Sequence, residues 1–328
     1  MEIKNKHVIT IGFLLFLLVC TSAALYAAAF AGKNNLEYGL WVWDSPIQIS
    51  QKYQSTVLST ATSNGMNVLY VTIDDYLDIA ELPDGTDKSQ KIAAYMNALQ
   101  RLVSAANARG ISVDVEAGWR DWGEADQQYK AMDIIDFAEK YNATHGTAKI
   151  RGVQFDVESY LLPTYEGDKA LILEHFVQFV AAVTARMGTD DLRLSVVVPH
   201  FYDDQQNWTP AITYDGQTTF TFNHVLRILD TRPGSSIIVM AYRNKAQGSD
   251  GAIQLSHTEV EEASASPHGT KIIVAQETGN VPPAYVTFYG RTKAYYLEQV
   301  QMIRKKFDGE KNFGGIAVDY IDPFLQLK

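Results

Sequence analysis

Two carboxylates stand two residues apart at the end of the segment Arg151-Gly-Val-Gln-Phe-Asp-Val-Glu158. Apolar Val153, Phe155 and Val157 alternate there with polar Gln154, Asp156 and Glu158. An extended strand projects alternate side chains to opposite faces, so the polar set shares one face. A carboxyl group beside a like charge keeps its proton to higher pH, which suits a general acid. Glu158 is therefore the candidate proton donor, and Asp156 the neighbour expected to raise its pKa. The plainer alternative is a pair of buried carboxylates satisfied by Arg, Tyr or Ser. The strand-end position and the pairing together favour chemistry for Glu158.

Other groups able to do chemistry also end short β-branched runs. They are Trp41, Trp43 and Asp44, then Asp74 and Asp75, then Asp114, Glu116 and Trp119. Further along come His200 and Tyr202, Met240, Tyr242 and Arg243, Gln276 and Glu277, and finally Asp319, Tyr320 and Asp322. Carboxylates mixed with tryptophan and tyrosine around one mouth are what glycosidic cleavage uses: two carboxyl groups for the proton and the nucleophile or base, and aromatic faces for the sugar rings. On this reading Trp41, Trp43, Asp74, Glu116, Trp119, Tyr202, Met240, Arg243 and Asp319 contact substrate, with Glu158, Asp156, Tyr242 and Glu277 at the reacting bond. Each aromatic taken alone is equally well explained as loop packing.

The elements that would position these groups recur at intervals of roughly 30–45 residues, the repeat of a (β/α)₈ barrel. The eight runs are Tyr38–Trp43, Asn67–Ile73, Ile111–Glu116, Arg151–Glu158, Leu192–Val198, Ser236–Tyr242, Lys271–Glu277 and Gly314–Asp319. Between them lie helical patterns at Gln51–Asn64, Ser89–Arg109, Gln127–Tyr141, Lys169–Met187, Thr221–Leu229, Leu255–Ala265 and Thr292–Phe307. Ile92, Met96, Leu99, Leu102 and Val103 show the helical spacing plainly. Gly65, Gly110 and Gly188 fall where left-handed helix caps fall. Strict alternation of strand and helix calls for parallel pairing, so one TIM barrel over Leu36–Lys328 is expected. The segments Leu77–Lys88, His200–Thr219 and Thr278–Tyr289 follow strands and read as loops walling the mouth, where barrel enzymes keep their chemistry.

The 328 residues carry a net charge of −10, with 46% hydrophobic and 20% charged residues. No basic patch is available to neutralise phosphates, which excludes a nucleic-acid partner; a neutral or cationic substrate is compatible. Lys4 and Lys6 precede an uncharged apolar or small stretch from Val8 to Ala31, ending in Ala29-Phe30-Ala31. Met1–Ala31 thus reads as a signal peptide or, being long enough to span a bilayer, as a membrane anchor. Either places the barrel outside the cytoplasm. The single cysteine, Cys20, lies in that stretch, which excludes intrachain disulfides and a Cys-based zinc site. No metal and no cofactor are expected. The seven histidines show no metal-ligand spacing, and a carboxylate site from Asp74, Asp75, Asp114 and Glu116 is a minor alternative.

These residues resemble the family 18 glycoside hydrolases, the chitinase-like barrels. That family carries Asp-x-x-Asp-x-Asp-x-Glu on its fourth strand, Met-x-Tyr-Asp on its sixth and a glycine pair opening its eighth. This chain has Arg151-x-x-Gln154-x-Asp156-x-Glu158, Met240-Ala-Tyr242-Arg243 and Gly314-Gly315. The resemblance implies Glu158 as proton donor, Asp156 as the residue positioning a substrate N-acetyl group, and Tyr242 as its hydrogen-bond partner. The chain departs from the pattern at Arg151, Gln154 and Arg243, and at Asp319, where chitinases place a tryptophan. A second glycosidase pattern competes: Glu158 and Glu277 occupy the strand ends where many retaining barrel enzymes carry acid/base and nucleophile, although Val157 replaces the Asn that usually precedes the acid. The function expected is cleavage of a polysaccharide or cell-envelope glycan. The alternative is an inactive barrel that only binds glycan, since fold does not secure function.

Overall fold

The computed structural model describes residues 36–188, 191–203 and 207–328. Eight strands close into a parallel barrel: β1 (Glu37–Val42), β2 (Val68–Thr72), β3 (Ser112–Ala117), β4 (Gly152–Phe155), β5 (Arg193–Pro199), β8 (Ser235–Met240), β9 (Lys271–Glu277) and β10 (Phe313–Asp319). Each pairs with the barrel strand before it in sequence, and β10 closes on β1 through pairs such as Tyr38 with Ile316. The hairpin β6 (Ile212–Tyr214) and β7 (Gln217–Thr219) stands apart as a small antiparallel sheet.

Side-chain alternation divides the core in two. One set, including Leu40, Val71, Val115, Phe155, Val196 and Val239, packs outward against the helices. The other fills the barrel with Trp41, Val68, Tyr70, Val197, Ile238, Met240, Ile273, Ala275 and Ala317. Two polar pairs lie inside: Trp41 Nε1 donates to Gln154 Oε1 at 2.6 Å, and the Ser195 and Ser236 hydroxyls meet at 2.7 Å. At the amino-terminal end of the strands the Arg151 guanidinium bridges Asp114 and Glu37. Gly315 has φ 137°, and a Cβ there would sit 1.9 Å from the Glu37 carbonyl oxygen, so the β1–β10 seam requires glycine.

The helices largely fall where the periodicity puts them. Thr221–Leu229 has the expected bounds. Tyr165–Met187 has a non-helical residue at Asp168, so its regular part begins at Lys169 as expected. Ser50 caps Gln51–Ser63 by accepting from the Tyr53 amide at 3.1 Å. Gly65 and Gly110 have φ near +70°, as left-handed caps do; Gly188 has φ 51° with ψ −122°, outside that well. Two expected loops hold structure: Leu77–Lys88 overlaps the short helix Tyr76–Ala80 and the start of Thr86–Asn107, and His200–Thr219 contains a 3₁₀ turn and the hairpin. Tyr76 draws the first of these inward by packing on Phe137 at 4.2 Å.

The expected signal or anchor, Met1–Ala31, lies outside the described residues. Among those described, the helix Tyr165–Met187 is long and apolar enough to cross a membrane, but half of that stretch is buried in the outer layer of the barrel.

Candidate active site

β4 ends at Phe155, three residues before Glu158, so Glu158 stands on the turn that follows rather than on the strand itself. Gly118, just past β3, lets the two chains approach: a Cβ there would lie 2.1 Å from the Asp156 carbonyl oxygen. The result is a cleft of about 270 Å³ at the carboxyl ends of β1–β4, lined by Trp43, Asp74, Glu116, Gly118, Trp119, Arg120, Asp156, Glu158 and Leu161. Six residues expected at the site are thus brought together: Trp43, Asp74, Glu116, Trp119, Asp156 and Glu158. A larger cavity, about 700 Å³, opens at the opposite face among Glu37, Arg193, Lys271 and Lys311, far from the converging acids.

Burial dominates the electrostatics. It raises the Glu158 pKa, and the charge of Asp319 raises it further, while a hydrogen bond from the Tyr160 hydroxyl opposes both. The repulsion expected between Asp156 and Glu158 is present. Asp156 is itself pushed well above the carboxylate range, by burial first and then by Glu158, Asp319 and Asp74. Glu116 is likewise raised well above its usual value, by burial and then by Asp74 and Asp156. Asp74 is raised to about 6 by burial, despite accepting from the Gly118 amide at 3.0 Å.

A second carboxylate group borders the cleft. Asp319 accepts from Trp43 Nε1 at 2.9 Å and from the Tyr242 hydroxyl at 3.1 Å. Glu277 is raised to about 8 by burial and by the charge of Asp319, to which it is hydrogen-bonded; it also accepts from the Gly279 amide. At neutral pH the proton of this pair therefore sits on Glu277, which donates it towards Asp319.

Several expected contacts lie elsewhere. Tyr202 is 1% exposed and packs edge-on against Phe176 at 5.5 Å, because the 3₁₀ turn at its residue aims the ring at the helix layer. Trp41 is also 1% exposed; it lies beneath Trp43, with ring centroids 6.4 Å apart, and supports that platform from inside the barrel. Met240 belongs to the barrel filling. Arg243 turns away to Asp250 at 2.6 Å, with its guanidinium over the Tyr285 ring. The minor carboxylate metal set is dispersed: Asp114 pairs with Arg151 at the far end of the barrel, and Asp75 accepts from Tyr95 at 2.5 Å. Among the described residues no cluster of three or more His, Cys, Asp or Glu could hold a metal ion.

Trp43 and Trp119, 37% and 59% exposed, remain as platforms at the mouth. Tyr160, Arg120 and Leu161 were not anticipated. The clue for Tyr160 was its place two residues after Glu158; Arg120 stacks over the Trp119 ring at 5.6 Å. Beyond Tyr160, Phe201 and the exposed Trp208 continue the aromatic wall, with successive ring centroids 5.3 and 5.6 Å apart.

No family model matches this chain, and no curated protein matches it in sequence. In structure it is similar to the endo-beta-1,4-mannanase from Thermotoga petrophila (TM-score 0.54, 11% identity, covering 89% of this chain and 69% of that one). It is also similar to a GH18 chitinase from Pseudoalteromonas aurantia (TM-score 0.50, 12% identity, covering 88% of this chain and 98% of that one). At such identities the likeness is one of fold: the chain is a (β/α)₈ barrel of the architecture those glycoside hydrolases share.

Proposed function

We propose that this chain is an exported glycoside hydrolase acting on a polysaccharide or cell-envelope glycan, with Glu158 as the general acid. The observation that carries the reading is the meeting of Glu158 and Asp156 with the exposed rings of Trp43 and Trp119 in one cleft. The similar barrels named above are by title a mannanase and a chitinase, which is consistent with a glycan substrate. In this mechanism Glu158, kept protonated by burial, gives its proton to the leaving glycosidic oxygen, and Tyr160 fixes the orientation of its carboxyl group. Asp156, whose buried Oδ1 is unpartnered, accepts from and positions the group that attacks from the opposite side.

Between the two routes to the intermediate, the state of Glu277 favours assistance by a substrate N-acetyl group. A covalent nucleophile must be ionised, and Glu277, raised to about 8, is mostly neutral at pH 7. The route asks Tyr242 to exchange its bond to Asp319 for one to substrate. The rival reading, a barrel that binds glycan without cutting it, draws on the departures at Gln154, Arg243 and Asp319.

A panel of labelled glycans, including chitin and mannan oligosaccharides, tests both. Hydrolysis by the wild type that Glu158→Gln lowers by about 10²–10⁴-fold supports the enzyme. Binding with no turnover by the wild type supports the rival, and full activity in the variant refutes the mechanism. Export rests on Lys4, Lys6 and the apolar run, with Met1–Lys6 cytoplasmic if the segment stays uncleaved. A reporter fused after Lys328 that works only in the cytoplasm would overturn it.

A further inference from the structure

The cleft is electrically one-sided. Asp74, Glu116, Asp156 and Glu158 line it, and among its lining residues Arg120 alone is cationic, with its guanidinium held over the Trp119 ring. The other cations nearby in sequence are committed: Arg151 to Asp114 and Glu37, and Arg243 to Asp250. Glu116 is 1% exposed, and its buried Oε2 has no hydrogen-bond partner among the described residues. The same holds for Asp156 Oδ1. Buried acceptors are nearly always paired in native proteins, so two orphans facing one cleft point to a donor that arrives with the ligand.

The chemistry of that donor can be narrowed. A uronic acid would meet like charge. An N-acetyl amide offers one N–H, enough for Asp156 but not for Asp74 and Glu116 as well. A hydroxyl donates once and brings no charge. An ammonium group donates three hydrogen bonds, accepts none, and brings a positive charge to a cleft lined by acids. We propose that the glycan bound here contains an unacetylated amino sugar, whose ammonium group sits on Asp74 and Glu116 beside Asp156. This rests on the glycan reading above and names its substrate class: a partly de-N-acetylated hexosamine polymer, with the free amine next to the unit that Glu158 and Asp156 process.

The test is calorimetric binding to the full-length chain carrying Glu158→Gln, which suppresses turnover. Three probes are compared: a glucosamine tetramer, its fully N-acetylated counterpart, and cellotetraose. The expected result is a preference of about tenfold or more for the free-amine tetramer, equivalent to one charge-assisted hydrogen bond. That preference should fall with added salt and collapse towards unity in Asp74→Asn and in Glu116→Gln. Asp74 is only half-buried, so Asp74→Asn serves if Glu116→Gln fails to fold. Equal or tighter binding of the acetylated tetramer overturns the proposal, and so does a loss that is uniform across the three probes. Tight binding of calcium or magnesium alone, abolished by either variant, would assign the acids to a metal and overturn it too. Hydrolysis of an acetylated glycan by the wild-type chain would stand in each of those cases. Failure of every oligosaccharide to bind or be cut would instead remove the glycan reading itself.

Discussion

The indole of Trp43, just past the end of β1, donates to Asp319, the last residue of β10, across 2.9 Å. The bond fixes the ring that stands at the mouth of the cleft. Burial raises the Asp319 pKa, and this bond opposes that rise together with the hydrogen bonds from Tyr242 and Glu277. Asp319 occupies the place where the chitinase-like pattern has tryptophan, and here the aromatic face comes from the neighbouring strand. Its charge reaches Glu158, Asp156 and Glu116, raising all three.

Removing that charge should therefore shift the acid. In Asp319→Asn the Glu158 pKa falls, so the protonated form needed for donation is lost at lower pH. The basic limb of the kcat/KM profile should move down by roughly half a unit to one unit. Asp156→Asn, by contrast, should lower the rate without a comparable shift, because the charge that raises Glu158 is that of Asp319. Profiles of the two variants on a hydrolysed glycan check this, and a larger shift in Asp156→Asn would reverse the assignment.

Glu277 makes stability depend on pH. Its folded pKa, about 8, lies above the usual value of 4.5. The fold thus favours its protonated form, and the stabilisation is complete below about pH 4.5 and lost as pH rises through 8. Glu277→Gln imitates the protonated acid and cannot ionise. Its Tm relative to wild type should rise steadily from pH 4.5 to 8.5, by about 10 °C in all, at roughly 1.4 kcal/mol per pKa unit and 2–4 °C per kcal/mol. On activity, a mild loss agrees with assistance from the substrate, whereas a loss as deep as that of Glu158→Gln would make Glu277 the nucleophile.

The barrel and the nearer half of the site were readable from sequence because both follow from local pattern. β-branched runs such as Val196-Val197-Val198 and Ile272-Ile273-Val274 mark strands, and strand ends mark the mouth. Alternation also tells which face a side chain takes. It says nothing of height along the barrel, so Asp114 and Glu116 looked alike. In the register Asp114 lies level with Tyr70 and Gly152, and Glu116 one step higher with Thr72 and Gln154. That step separates an ion pair with Arg151 from the floor of the cleft. Contacts distant in sequence were equally hidden: Asp250 turning Arg243 aside, the helix layer taking Tyr202, and Trp43 meeting Asp319 across 276 residues.

Three tryptophans, Trp41 inside the barrel and Trp43 and Trp119 at the mouth, should separate binding from stability. Trp119 is exposed, so Trp119→Ala should weaken glycan binding about tenfold, roughly 1.4 kcal/mol, and leave Tm nearly unchanged. Trp41→Ala should instead destabilise by about 3–5 kcal/mol, since it opens a cavity inside the barrel and strands the Gln154 amide. Trp43→Phe keeps a ring but loses the bond to Asp319, and its binding loss should be smaller than that of Trp119→Ala. Calorimetric affinity and thermal melts on all three variants decide this; an unchanged affinity in Trp119→Ala would remove it as a platform.

Arg151 stands where the chitinase-like pattern begins with an aspartate, and its role is to close the lower end of the barrel. Its Nε donates to Asp114 Oδ1 at 2.8 Å, and Nη1 to Glu37 Oε2 at 2.5 Å. Asp114 has a side chain only 1% exposed, so Arg151→Met leaves a carboxylate buried without its cation. Breaking such a pair costs about 3–5 kcal/mol, a fall in Tm of roughly 10 °C. The sign of the pH dependence follows from burial. Even beside Arg151 the Asp114 pKa is raised, and without the guanidinium it rises further. Protonation then relieves the variant as pH falls, so its deficit should be smaller at pH 5 than at pH 8. Adding Asp114→Asn should recover part of the loss at high pH, because the amide carries no charge to strand. Melts of the single and double variants across that range read the coupling directly, and a single variant as stable as wild type would show that Arg151 does not clasp the barrel floor.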